Sequence, residues 1–203
     1  MRPQRQRGFN LLELMFAVTI AGIALGVGIP SLTQFVANNR VAGAANDLLT
    51  SIHVARTEAV KRRASVTLCA SSDWQTADPD CDLAGGGPTG WIVFADDDGD
   101  VAVDEDEDVV LAHPPLQTPL TFAIDVDSSP YMQFAANGFP RSAAVGAPIT
   151  NIVVCDDRGD VAVGLAADDR EIAAGRWLQL GATGRPQVYR LREDVQGSPL
   201  GGC

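Results

Sequence analysis

The 203-residue sequence is poor in the side chains that build metal and catalytic centres. Its two histidines, His53 and His113, and four cysteines without close pairing form no zinc-ligand pattern. Neither histidine has an evident catalytic partner, and single histidines are mostly structural or surface residues. "VCDDRG", residues 154–159, brings Asp156, Asp157 and Arg158 together without a nucleophile and base, and reads as a tight turn between strands. No catalytic residue, cofactor or metal is expected, and the chain is not expected to be an enzyme. Positive charge is scarce too: 15 Lys and Arg face 26 Asp and Glu, a formal charge of -11. The long-range field therefore opposes broad attraction to nucleic acid or anionic lipid, so any such contact has to be local. An ordinary secretory signal is also missing, because "GVGIPSLTQFVANNR" offers no A-x-A-like cleavage site and continues the helical pattern. The apolar segment before it is therefore expected to stay on the protein.

What the chain does contain begins with Cys69, Cys81, Cys155 and Cys203, an even number better suited to disulfides than to a metal. Disulfides need an oxidising compartment, which places the folded domain outside the cytoplasm. Of three possible pairings we favour the sequence-local Cys69 with Cys81, leaving Cys155 with Cys203.

At the N-terminus, Arg2, Arg5 and Arg7 precede an uncharged run from Leu14 to Ile29, the arrangement of a membrane segment whose N-terminus stays cytoplasmic. Within "GFNLLELMFAV", residues 8–18, Glu13 is the one carboxylate. A charge in a membrane span costs about 2.5–3.5 kcal/mol on insertion scales, so this acid requires a partner or a function.

The stretch "RGFNLLELMFAVTIAGIALGVGIP" resembles the class III signal of type IV pilins and type II secretion pseudopilins. The resemblance implies that a prepilin peptidase cuts between Gly8 and Phe9 and methylates the new amine of Phe9. Glu13 becomes the fifth mature residue, four positions from a positive amine and on the same helical face. In the family this acid packs one subunit against the next, which makes Glu13 the expected assembly residue. Pro30 stands at the family's helix-disrupting proline, so a kink or local melting is expected between Thr19 and Pro30, aided by Gly22, Gly26 and Gly28.

From Pro30 to about Arg63, Leu32, Phe35, Val36, Val41, Ala45, Leu48, Leu49, Ile52, Ala55 and Ala59 recur at helical spacing. Glu58 and Arg62 form an i,i+4 pair on the exposed side. Beyond Ala64 short β-rich runs follow: "SVTLCA", "GWIVFA", "DVVLA", "LTFAI", "YMQF", "NIVVC", "RWLQL" and "QVYRLR". Turns are expected at "AGGGPTG", "ANGFP", "DDRGD" and "ATGRP". The expected fold is α+β: a long N-terminal pilin helix packed on a C-terminal antiparallel β-sheet domain. The expected divisions are a leader over 1–8 and a helix over 9–63, with a membrane part at 9–30 and an amphipathic part at 31–63, then an extracytoplasmic β-rich domain over 64–203. The run "ARTEAVKRRASVTLCAS", then "GWIVFADDDGD", "VVCDDRG" and "GRPQVYR", is similar to the FimT/GspH branch of minor pilins.

Three further features are candidate contact sites. Residues 96–108, "DDDGDVAVDEDED", hold nine acids that suit calcium by chemistry. Val101 occupies the position where an EF-hand loop needs glycine, so the stretch reads as a solvated acidic hairpin. Lys61, Arg62 and Arg63 and the trio Arg185, Arg190 and Arg192 are the basic concentrations. In FimT proteins linked to DNA uptake, a C-terminal glycine-arginine motif with a second arginine two residues on is associated with DNA binding. Gly184 and Arg185 match it, while Gln187 stands at the second arginine's position. Arg190 and Arg192, two apart in a strand pattern, are expected on one face; the competing reading is that these arginines pair with acids and order a C-terminal hairpin. Trp74, Trp91 and Trp177 are expected as core or edge aromatics, with Trp74, in the Cys69–Cys81 loop, a candidate partner contact if exposed.

The resemblance implies a minor pilin of FimT type, anchored in the bacterial inner membrane by one span with a periplasmic domain and recruited into a pilus, acting in assembly or priming, with DNA uptake as a candidate further role. The alternative is a GspH-like pseudopilin of type II secretion. Implied partners are other pilins or pseudopilins, met through the N-terminal helix, together with prepilin peptidase, the inner membrane and DNA.

Overall fold

A computed structural model describes residues 10–76, 78–82, 90–125, 130–143 and 147–203. Helix α1 runs from Leu11 to Arg62, and the chain divides into two compact units, Met1–Asn38 and Asn39–Cys203. In the first unit the apolar residues of α1 face outward: Leu11 is 74% exposed, Ile23 65% and Val27 71%. No stripe is selected there, because residues 14–29 are apolar all round the helix. Pro30 removes one N–H from the hydrogen-bond ladder, yet α1 continues through it without interruption. The local melting expected between Thr19 and Pro30 does not occur, and the Thr33 hydroxyl donates to the Pro30 carbonyl at 2.9 Å.

In the second unit the pattern becomes amphipathic. Val41, Ala44, Ala45, Leu48, Ile52, Ala55 and Ala59 are buried, at the i, i+3, i+4 spacing of one helical face. Small alanines on this face let the helix axis approach the sheets closely. Strands β1 (Val66–Ser71), β2 (Gly90–Ala95), β3 (Val109–His113), β5 (Pro130–Phe134) and β6 (Pro140–Arg141) form one sheet in the order β3-β2-β1-β5-β6. Strand β7 (Ala147–Pro148) joins β5 in parallel. The second sheet has the order β11-β10-β8-β4, from Pro186–Leu191, Glu171–Leu180, Asn151–Cys155 and Thr121–Ile124, with β9 (Ala162–Leu165) on β10. Apart from β5–β7, every described pairing is antiparallel. The long helix on antiparallel sheets is thus the observed α+β fold.

The main core joins the helix face to Val66, Leu68, Trp91, Val93, Met132 and Phe134 of the first sheet and to Ile152, Val154, Leu178 and Leu180 of the second. Each sheet also buries its other face. Cys69, Ile92, Phe94, Val101 and Tyr131 cluster behind the first, and Val153, Cys155, Ala173 and Val195 behind the second. This explains why "GWIVFA" and "NIVVC" are buried at every position instead of alternating. The covers are tied down by disulfides: Cys69 of β1 is joined to Cys81 and Cys155 of β8 to Cys203. Such crosslinks stabilise by about 2–4 kcal/mol, chiefly by restricting the unfolded chain.

Candidate functional site

The N-terminal part of α1 is the first candidate. Residues 11–38 span about 42 Å at 1.5 Å per residue, more than the roughly 30 Å hydrocarbon core. This helix is long and apolar enough to cross a membrane. Glu13 is exposed on it and forms no ion pair with a described residue. Gly8 and Phe9, the expected cleavage and methylation positions, lie outside the described residues, as do Arg2, Arg5, Arg7 and most of "AGGGPTG".

The basic residues do not gather as the sequence suggests. Lys61 and Arg62 meet Glu58 at 2.9 and 3.1 Å, and Arg62 also reaches Asp108 at 2.9 Å. Arg63 ends the helix at φ 58° with its side chain exposed. Arg192 is not a strand residue: β11 ends at Leu191 and Arg192 opens the short helix α2, Arg192–Gln196. The same-face argument for Arg190 and Arg192 therefore fails, and Arg192 pairs with Glu171 at 2.7 Å. Arg185 and Arg190 are exposed and form no ion pair with a described residue, but they sit about 17 Å apart along the strand at 3.4 Å per residue.

Two further arginines stand outside the basic runs: Arg176, which no motif singles out, and Arg158 of the "VCDDRG" turn. Arg176 pairs with Val154 at the β8 end that leads to Arg158, and it precedes Trp177, the partner of Tyr189, at an irregularity in the β10–β11 register. Burial pushes the Arg176 guanidinium below its usual range, and Arg190 and then Arg158 push it the same way. Arg176 donates to the carbonyls of Ala173 and Gly175 at 2.7 Å, and Arg158 holds Asp156 at 2.6 Å. Arg190 is thus near enough to act on Arg176, while Arg176 and Arg158 are themselves engaged by backbone carbonyls and by Asp156.

Gly184 has a structural reason of its own. It adopts φ +71°, and a Cβ on it would lie 2.6 Å from the Gly138 carbonyl oxygen. Its place in "ATGRP" is set by that close approach and by the turn bond from its N–H to the Gly181 carbonyl at 2.8 Å. Trp74 is half-buried and packs on the outer cluster of the first sheet, so it is mainly a cover for β1 and β2.

In the acidic loop, Asp96 is fully buried. Its Oδ2 accepts from the Thr67 hydroxyl and, at 2.7 Å, from the Gln133 amide. Glu107 accepts from the backbone N–H of Asp97 at 2.7 Å. Burial and then neighbouring carboxylates, Asp100 first, hold Asp104 above the usual carboxylate range. Burial also raises Glu107, outweighing the backbone hydrogen bonds that oppose it.

A long apolar N-terminal helical segment, and a domain in which a helix face packs on antiparallel sheets, are the two parts of a pilin-type subunit. The sequence model of the family described as Type II transport protein GspH matches residues 44–193, and the chain belongs to that family. It is a GspH/FimT-type minor pilin or pseudopilin, from a class of structural, non-enzymatic proteins that assemble with other pilins. Among solved structures, the type IV minor pilin FimU of Pseudomonas aeruginosa is similar at 19% identity, covering 76% of this chain and 92% of that one, with a TM-score of 0.44. A second crystal form of FimU gives 19% identity, 73% and 91% coverage and a TM-score of 0.41. No curated protein matches the sequence.

Proposed function

We propose that this protein is a FimT-like minor pilin of a type IV pilus, acting in pilus assembly or priming. The observation that carries this reading is Glu13, exposed on an otherwise apolar helical segment and without an ion-pair partner among the described residues. Prepilin peptidase removes residues 1–8 and methylates Phe9, residues 9–30 hold the chain in the inner membrane, and residues 64–203 face the periplasm until the filament forms. Mass spectrometry of the protein from membranes is expected to show a chain beginning at Phe9 with one added methyl group. An intact Met1, or a cut beyond Pro30, would overturn the processing reading.

The family's description favours a second reading, a minor pseudopilin of type II secretion. Deleting the gene separates the two: loss of surface pili supports the first, and loss of exported proteins with pili intact supports the second.

DNA contact is a finer part of the proposal. Arg190, exposed and without an ion-pair partner among the described residues, supports a small phosphate-contacting patch. Such a patch gives weak binding whose log–log salt slope is about 0.9 per contact. With the full chain in detergent and duplex DNA, Arg190→Ala is expected to weaken binding and flatten the slope, whereas Arg185→Ala, some 17 Å along the strand, has the smaller effect. No binding at low salt would remove the DNA role and leave assembly.

A further inference from the structure

We infer that the loop between β2 and β3 is a binding site for a calcium-type divalent cation, held by Asp96, Asp98 and Glu107 with Asp100 and Asp104 beside them. Nine acids in residues 96–108 do not make a site, since exposed carboxylates are well solvated. Asp96 differs from the rest. It is fully buried, and while its Oδ2 accepts two hydrogen bonds, its Oδ1 is buried with no hydrogen-bond donor. A buried anionic oxygen without a partner is costly, and native proteins rarely leave one so.

The geometry indicates what supplies the missing partner. Carboxylate oxygens of Asp96, Asp98 and Glu107 lie within 4.8 Å of one another, and so do those of Asp98, Asp100 and Asp104. Calcium–oxygen bonds are about 2.3–2.6 Å, so two ligands on opposite sides of one ion stand about 4.6–5.2 Å apart. Both triads fit inside that span and share Asp98. A bridging water brings only two protons and no charge, whereas a cation answers every acceptor at once.

Among the described residues, protein cations do not fill this role. Arg141 is the near one: its guanidinium lies against Gly99, 3.1–3.3 Å from where a Cβ would stand. Its Nη1 donates to the Ser65 hydroxyl at 2.7 Å, and it forms no ion pair with a described carboxylate. Arg62 is held by Glu58 and Asp108. The donors are all oxygen, without histidine or thiol, which selects a hard cation. Calcium accepts six to eight ligands in irregular array, while magnesium demands a tight octahedron that carboxylates from one irregular loop do not readily supply. The loop is not an EF-hand: Val101 takes φ +70° with its side chain buried in the outer core of the first sheet. That burial fixes the loop from below while the ion fixes it from above.

The test is calorimetric titration of the full chain in detergent, stripped with EDTA, using calcium chloride and then magnesium chloride. Saturable calcium binding is expected, with a Kd between about 10⁻⁵ and 10⁻³ M and magnesium weaker. Asp98→Asn keeps an acceptor for the Asp100 N–H bond seen at 3.1 Å, so it is expected to fold as the native chain does in EDTA. It should weaken calcium binding about tenfold or more, since ligand charge sets affinity in such sites. Glu105→Gln removes an equal charge from a residue in neither triad and is expected to leave the Kd within about twofold. No saturable heat at ~10 mM calcium, magnesium binding as tightly as calcium, or Glu105→Gln weakening binding as much as Asp98→Asn would each overturn the site.

Discussion

Glu13→Ala is expected to insert in the membrane at least as well as the native chain and to enter filaments at about a tenth of the native level or less. The two halves of this result come from one number. An acid within a span costs about 2.5–3.5 kcal/mol, so deleting it makes insertion easier. The same energy, converted at 1.4 kcal/mol per tenfold, corresponds to a factor of about 60–300 that a well-placed amine recovers when subunits pack. The amine proposed at Phe9 lies four residues away, one helical turn, and is equally accessible to a neighbouring subunit. Glu13→Gln separates charge from polarity: it keeps the shape and hydrogen-bonding capacity but gives the amine no counter-ion, so it should fail nearly as badly as alanine. Comparing membrane and sheared-filament fractions by immunoblot reads both quantities. Normal incorporation of Glu13→Ala would sink the pairing role, and poor insertion would show that the acid acts before assembly.

The long helix and the eight β-rich runs were readable because each carries a strong local signal, either 3.6-residue periodicity or a β-branched and aromatic cluster bounded by turn residues. Strands β6 and β7, two residues each, have too little sequence to signal anything. Strand β9 contains Gly164, and the first half of β10, "EIAAG", is small-residue sequence that resembles helix or loop as much as strand. Its place is dictated by pairing with β9, a tertiary effect. Arg192 was misread because "QVYRLR" alternates like a strand to its last residue, while the chain turns into α2 to bring Val195 over the second sheet. The site residues divide in the same way. Glu13 stands out in sequence because it is the one charge in an apolar run. Asp96 is hidden among nine acids, and only its position under Thr67 and Gln133 separates it from its solvated neighbours. Arg176 belongs to no basic run, and its nearness to Arg190 comes from the folding of β10 against β11, not from sequence proximity.

Trp91→Ala is expected to lower the stability of the β domain by about 3–5 kcal/mol, the range for deleting a large aromatic from a core. For a chain of this size that is a Tm fall of about 6–20 °C, at roughly 2–4 °C per kcal/mol. Trp91 is 3% exposed and joins three elements at once. Its ring stacks on His113 of β3 at 3.7 Å and meets Phe122 of β4, in the other sheet, edge-on at 5.8 Å. Its Nε1 donates to the buried Ser51 hydroxyl of α1 at 2.8 Å, and that hydroxyl donates in turn to the Asp47 carbonyl at 2.9 Å. Removing the indole opens a cavity where the helix meets both sheets and strips Ser51 of its donor. Trp91→Phe keeps much of the ring and loses the hydrogen bond, so it should cost less than alanine, about 1–3 kcal/mol. Ser51→Ala leaves the indole N–H buried without an acceptor and should cost about as much, while the pair of changes together should cost less than their sum, because both break one interaction. Circular dichroism melts of the native chain and the four variants in detergent test this. Strict additivity would mean that the Ser51–Trp91 bond contributes nothing to docking the helix, and a Tm change under about 2 °C for Trp91→Ala would mean that the residue is not the hinge of the core. If the expected losses appear, the tryptophan of "GWIVFA" is the point at which residues 39–62 of the helix are fixed to the sheets.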